Sequence, residues 1–197
     1  MGRYTPEILS DENYIRIVRT LMDGYIYNGK ISRPNRRIAT ILQLLFNTGA
    51  NISELVTMKK EDLIYENEVW LFKAPLDGNN RQKFYVLAPK VKRFIDDYIE
   101  YIDDGKIFKL QPNESIFGRI SEQAIWKMVR NVCKYLNLQN VSPGSFKKRS
   151  IERVFIKSEC NEEVLFEYLQ QHSSVTYEIM TAIDGKDRSQ YRMLQRN

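Results

Sequence analysis

The sequence predicts a mainly α fold with a small antiparallel β-hairpin or sheet. Three observations predict it. Apolar residues recur at helical spacing in segment after segment. Two β-rich runs flank one Asp-Gly turn. A length of 197 residues with 43% hydrophobic content suits one core.

The elements follow in chain order. "TPEILSDENYIRIVRTLMDGYI" places Ile15, Val18, Leu21 and Met22 on one helical stripe, with Asp11 as the cap candidate. "GKISRPNRR" reads as a basic loop. Ile38, Ile41, Leu42, Leu45 and Phe46 then mark a buried helix. "FNTGANISEL" ends that helix in a Thr-Gly turn and starts a short new one. "KKEDL" reads as a small turn, and "NEVWLFKAP" and "QKFYVLA" as a hairpin around "LDGNN". Val91, Phe94, Ile95, Tyr98, Ile99 and Ile102 predict a helix whose outer face, "DDYIEYIDD", is a solvated acidic one. "ESIF" is a short-strand candidate. Ile125, Met128, Val129, Val132 and Leu136 follow a Ser121 cap, and "SPGSFKKRSIERVFIK" is a Pro-started basic helix. Val164, Leu165, Tyr168 and Leu169 mark the next helix, "SSVTYEIMTAID" the last, and "GKDRSQYRMLQRN" a charged tail after Gly185. Trp70 and Trp126 both fall in patterned segments and read as core.

Composition narrows the function classes. A net charge of +5 and a pI near 9.1 are compatible with a nucleic-acid partner without demanding one. Cys133 and Cys160 form neither a disulfide framework nor a metal-ligand spacing, so they read as small core residues in a reducing, cytoplasmic setting. No cofactor or metal is implied. No apolar run approaches membrane length, and the polar start is unlike a signal peptide. The abrupt "MGRYTPE" opening reads as one domain of a longer chain.

Four segments, in order, resemble the catalytic domain of tyrosine recombinases, the phage-integrase family. "LLFNTGANISELVTMKKEDL" is similar to its T-G-x-R-x-S-E-L segment. "VWLFKAPLDGNNRQKFYVLAP" resembles its lysine-bearing hairpin. "VSPGSFKKRSIERVF" resembles its S-P-H-x-x-R helix. "LQQHSSVTYEIMTAID" resembles its G-H-S-x-x-x-T-T-x-x-Y segment. The resemblance implies an integrase-catalytic-like domain over residues 1–184 and a tail, 185–197, that docks on a neighbouring protomer, docks on its own chain or stays free.

In that family a tyrosine hydroxyl attacks a DNA phosphodiester. Two arginines and a His or Trp stabilise the transition state, and a hairpin lysine protonates the leaving oxygen. Guanidinium suits the task because it grips two phosphate oxygens at once and keeps its charge. Carried over residue by residue, the roles degrade. The first arginine falls on Asn51, the His of S-P-H on Gly144 and the second arginine on Lys147. A two-residue slip would substitute Arg149, with Phe146 then at the His position. His172 retains the third basic position. The nucleophile falls on Thr181, with Tyr177 about one helical turn too early. Lys73, Arg81 and Lys83 are the candidates for the hairpin lysine. Losing one transition-state contact costs about 2.7–4 kcal/mol, so losing several implies a catalytically inactive chain.

The resemblance therefore implies a DNA-binding protein on a recombinase scaffold, a repressor or accessory factor of a phage or other mobile element. Double-stranded DNA is the expected partner. The candidate contacts are Arg33, Arg36, Arg37, Lys73, Arg81, Lys83, Lys147, Lys148, Arg149, Arg153 and His172. His172 either contacts phosphate or satisfies carbonyls at a helix end. Two alternatives stand beside this reading. One is an active divergent recombinase whose nucleophile is Tyr177 or Tyr191. The other is a protein–protein module, for which the acidic helix face leaves room. Asn51 also has a local reading. N-x-x-E is a capping-box pattern in which Asn51 Oδ1 accepts a backbone N–H and Glu54 reaches back to the Asn51 N–H.

Overall fold

A computed structural model describes residues 8–76, 78 and 82–157. The predicted helices past 157, the tail, Cys160, His172, Tyr177, Thr181, Tyr191 and Arg81 lie outside the described residues.

Helix α1 (Asp11–Asp23) starts where the Ser10 side chain accepts the Asn13 N–H at 3.2 Å, so Ser10 is the cap and Asp11 the first helical residue. It ends at Gly24, whose φ of 78° leaves no room for a side chain. A Cβ there would sit 2.7 Å from the Ser32 carbonyl oxygen. The basic loop expected next is instead a hairpin, β1 (Tyr25–Tyr27) and β2 (Lys30–Ser32), pairing Ile26 with Ile31. Its Asn28-Gly29 turn has positive φ at both residues, a hairpin signal present in the sequence. Tyr25 anchors the hairpin by stacking on Tyr135 with ring centroids 4.7 Å apart.

Helix α2 (Arg36–Thr48) is the central element, capped by Asn35 Oδ1, which accepts the Ile38 N–H at 3.0 Å. Its apolar residues exceed one stripe: Ile38, Ile41, Leu42, Leu44, Leu45 and Phe46 are all buried. A helix buried on most of its circumference must be surrounded. It packs against α1, α4 (Pro89–Asp103) and α6 (Pro143–Lys157). At its C-terminal end Tyr14 of α1 stacks on Phe46, with centroids 3.7 Å apart, and meets Phe146 of α6 edge-on at 6.3 Å. This aromatic junction fixes the two helices that carry the site.

The short helix α3 (Ile52–Val56) and a 3₁₀ turn (Lys60–Asp62) lead into a sheet. The expected hairpin is two of its three strands. β4 (Val69–Lys73) pairs with β5 (Phe84–Leu87), and β3 (Leu63–Glu66) adds an antiparallel edge with Ile64 opposite Leu71. "ESIF" forms no named strand; Ser115 makes one isolated bridge to Lys59. Helix α5 (Glu122–Tyr135) starts at the expected Ser121 cap, with Oγ accepting the Ala124 N–H at 3.2 Å. Cys133 is buried as expected, but Trp126 is 42% exposed rather than core. Trp70 is half-buried under the Lys92 ammonium, 4.1 Å from its ring centroid. Among the described residues no helix is long and apolar enough to cross a membrane, and no acid, Cys or His cluster suits a metal.

Candidate nucleic-acid interface

The turn after α2 builds the site. Gly49 ends the helix in the left-handed region at φ 69°, and its N–H donates to the Leu45 carbonyl at 3.1 Å. Thr48 Oγ1 donates to the Leu44 carbonyl at 2.8 Å and accepts the Ala50 N–H at 3.2 Å. Two residues later Asn51 stands as the N-cap of α3 in an extended conformation, ψ 152°.

The capping box is half a hydrogen-bonded one. The Asn51 N–H donates to Glu54 Oε2 at 2.8 Å, as the N-x-x-E pattern implies. The box arrangement is in place, yet the Asn51 side chain makes no cap hydrogen bond of good geometry. Its Oδ1 accepts instead from Lys147 Nζ of α6, at 2.6 Å. The two positions that resemble the family's arginines thus meet each other directly.

Behind this pair lies a buried polar cluster. Glu54, 8% exposed, accepts from Tyr85 Oη at 2.7 Å and from Lys83 Nζ at 3.2 Å. Lys83 is itself 6% exposed. Strand alternation explains the supply: Lys83, Tyr85 and Leu87 face inward while Phe84 and Val86 face solvent. Burial pushes the Glu54 carboxyl up, but the bonds from Asn51 N–H, Tyr85 and Lys83 outweigh it and hold it below the usual carboxylate range. Burial pushes the Lys147 ammonium down. Glu54 opposes that and Lys83 adds to it, leaving its pKa at about 8.

Of the expected contact residues, the fold brings Lys83 and Lys147 together around Glu54, with Asn51 beside Lys147. Gly144 lies in the first turn of the same helix, half-buried, and adds no side chain. Lys73 is exposed at the end of β4, opposite Phe84 and outside the cluster. Lys148 is buried, 7% exposed, so it does not present its charge to solvent. Arg149 faces away from Lys147 and ties α6 to α1: Nε and Nη2 donate to the Asp11 carboxylate at 3.2 and 3.1 Å, and Nη1 to Glu152 at 2.6 Å. Arg153 lies over the Phe46 ring at 5.1 Å. The "SRPNRR" cations sit elsewhere. Arg33 is exposed, Arg36 stacks over Tyr101 at 4.5 Å, and Arg37 donates to the Phe117 carbonyl at 3.3 Å. They begin α2 and Asn51 follows its end, so they are separated by roughly 20 Å of helix at about 1.5 Å per residue. Tyr85 escaped the sequence reading. The period-2 pattern of "KFYVL", which puts it on the Lys83 side, was the available signal.

No protein-family model matches the chain. Relatives do. Tyrosine recombinase XerD of Oceanobacillus iheyensis is 25% identical over 135 residues, 66% of this chain and 42% of that protein. XerD of Staphylococcus saprophyticus is 29% identical over 116 residues, 56% of this chain and 38% of its own length. XerD of Corynebacterium glutamicum is 23% identical over 188 residues, 93% of this chain and 59% of its own. The chain thus spans roughly half the length of these relatives. The crystal structure of XerA recombinase superposes with a TM-score of 0.64 at 16% identity, covering 91% of this chain and 60% of XerA. The Tn1549 transposon integrase in complex with circular intermediate DNA gives 0.64 at 14%, covering 91% and 62%. A lambda integrase dimer bound to a COC' core site gives 0.61 at 10%, covering 91% and 49%. The fold is therefore that of a tyrosine-recombinase catalytic domain. More particularly, the chain is similar in sequence to tyrosine recombinases XerD and XerC.

Proposed function

We propose that the chain binds duplex DNA through the surface around Asn51 and Lys147 and does not cleave it. The pairing of Lys147 Nζ with Asn51 Oδ1 at 2.6 Å carries this reading. An arginine at each position would present two planar forks, each matching two phosphate oxygens. Asn51 brings no charge. Lys147 brings one ammonium, a point charge with its approach set by Asn51. That pair can hold a backbone phosphate. It cannot grip the equatorial oxygens of a pentacoordinate transition state from two sides, which is the interaction that strengthens as charge develops. Thr181 at the nucleophile position agrees with the loss of chemistry.

Lys83 does not restore it. Its ammonium is buried against Glu54, so passing a proton to a leaving oxygen would leave the buried Glu54 carboxylate without its paired cation. A scaffold that keeps a phosphate contact without the chemistry serves as a repressor or accessory factor of a phage or mobile element.

The test combines two measurements on the full 197-residue chain. Selection from a random duplex pool, followed by anisotropy titration of the winners between about 50 and 200 mM salt, is expected to give affinity that falls steeply with salt. A nicked suicide duplex of the same sequence is expected to leave no protein trapped on a denaturing gel. A covalent adduct lost in Tyr177→Phe or Tyr191→Phe overturns the inactive reading in favour of a displaced nucleophile. No binding at low salt overturns the DNA reading itself.

A further inference from the structure

A second surface lies apart from the polar cluster. An open groove runs between the C-terminal end of α3, the last turns of α4 and the 104–121 segment. Val56, Tyr98, Ile102, Leu110, Ile116 and Phe117 give it an apolar floor. Its rim is cationic: Arg37, Lys59, Lys106 and Arg119 line it against one carboxylate, Glu114, which already accepts the Gln111 N–H at 2.9 Å. Lys59 pairs with Glu61 at 3.1 Å in an exposed, weak ion pair. Among the described residues Arg37 spends one N–H on the Phe117 carbonyl and keeps the others. Lys106 and Arg119 have no carboxylate partner among the described residues.

Next to Lys106 stand Ile107 and Phe108, 92% and 84% exposed. Both exceed every other large apolar side chain described. Scattered apolar residues need no explanation, but a contiguous exposed pair beside an apolar groove marks an interaction surface. The combination selects the occupant. DNA phosphates would use the rim cations and leave the floor, Ile107 and Phe108 facing water. An amphipathic segment with carboxylates on its flanks uses all three, its apolar side chains on the floor and its charges against the rim.

We infer that this groove docks an acidic amphipathic segment of a partner protein. The site is independent of the DNA reading. It is built at the Val56 end of α3, whereas Asn51 caps the other end.

The experiment is a selection of a random dodecapeptide library displayed on phage over the immobilised full chain. A parallel selection uses the Lys106→Glu/Arg119→Glu variant, and circular dichroism checks that it is folded. Both positions are exposed, so the fold should survive. Peptides enriched on the parent chain are expected to carry Asp or Glu between apolar residues at i, i+3 or i+4 and i+7. They are expected to bind the variant at least tenfold more weakly, to lose affinity on Ile107→Ser/Phe108→Ser, and to bind equally with saturating duplex DNA present. Four outcomes overturn the inference. They are enrichment without acidic bias, affinity unchanged in both variants, displacement by DNA, and self-association in sedimentation that Lys106→Glu/Arg119→Glu abolishes, which assigns the groove to a second copy. The acidic bias, the variant affinities and the sedimentation are read without DNA, so they stand whether or not DNA binds at Lys147.

Discussion

Lys147 Nζ lies 2.6 Å from Asn51 Oδ1, although the two residues are 96 positions apart in sequence. The bond joins the N-cap of α3 to the second turn of α6. Asn51 also donates its backbone N–H to Glu54, so one residue links a helix start, a buried carboxylate and a half-buried cation.

Asn51→Ala should act on Lys147 more than on the helix, because the Glu54 half of the box uses only the backbone N–H. Loss of one side-chain hydrogen bond predicts a destabilisation of about 0.5–1.5 kcal/mol, measured by urea denaturation. DNA affinity should fall without a change in sequence preference. On the proposed reading, which aligns Thr181 with the nucleophile, Asn51→Arg alone should leave the suicide-substrate gel blank.

Glu54 is the member on which the cluster depends for stability. Glu54→Ala removes the carboxylate from the buried Lys83 ammonium and the Glu54 hydrogen bond from Tyr85 Oη. Breaking a buried pair from one side typically costs about 3–5 kcal/mol, which would unfold a marginal domain. Glu54→Gln keeps an acceptor and should cost less. Adding Lys83→Met to Glu54→Gln should recover part of the loss, read as a shift in denaturation midpoint.

The pH dependence separates Lys147 from the rest. Its folded pKa, about 8, lies below its ordinary value of 10.5, so between those limits the unfolded chain binds more protons than the folded one. Stability from this group therefore rises as pH climbs from about 8 towards 10.5, and Lys147→Met should remove that rise. DNA affinity should move the other way, falling between pH 7 and 9 as the ammonium is lost, with a flatter profile in Lys147→Met. Glu54 is shifted down from 4.5, so its contribution is present above that value and disappears as acid protonates it through its lower folded pKa. Acid titrations of parent and Glu54→Gln should differ only on that limb.

Arg149 should behave as a structural residue. Its guanidinium is divided between Asp11 and Glu152, joining the first described helix to the last. Arg149→Ala is expected to lower stability by about 1–3 kcal/mol, since the charged hydrogen bonds to Asp11 and to buried Glu152 are lost. The salt slope of DNA binding should change little, whereas Lys147→Met should reduce it by roughly one phosphate's worth.

The helices were legible because burial imposes a period. The α2 stripe, the Ser121 cap and the Pro143 start all carry local signals with a local cause. The hairpin was legible as two strands and incomplete as a sheet. β3 is the short run "LIYE", whose partner is chosen across a positive-φ turn at Asn67 and Glu68, and neither turn residue is glycine. The β1–β2 hairpin was readable from Asn28-Gly29 but was obscured by the flanking basic residues. Trp126 read as core because its segment is periodic, yet its position turns it outward on α5.

By itself the sequence determined the fold class and the residue types at the integrase-like motif positions, including Asn where a cation is expected. Both follow from what each position can do alone or with neighbours three or four residues away. Only the tertiary structure decided which cations act together. It set Lys147 on Asn51, buried Lys83 against Glu54, gave Arg149 to Asp11, and left Arg36 and Arg37 at the far end of α2. A cation's role depends on the nearest opposite charge and on how much water it keeps. Both are set by helix packing between residues far apart in the chain.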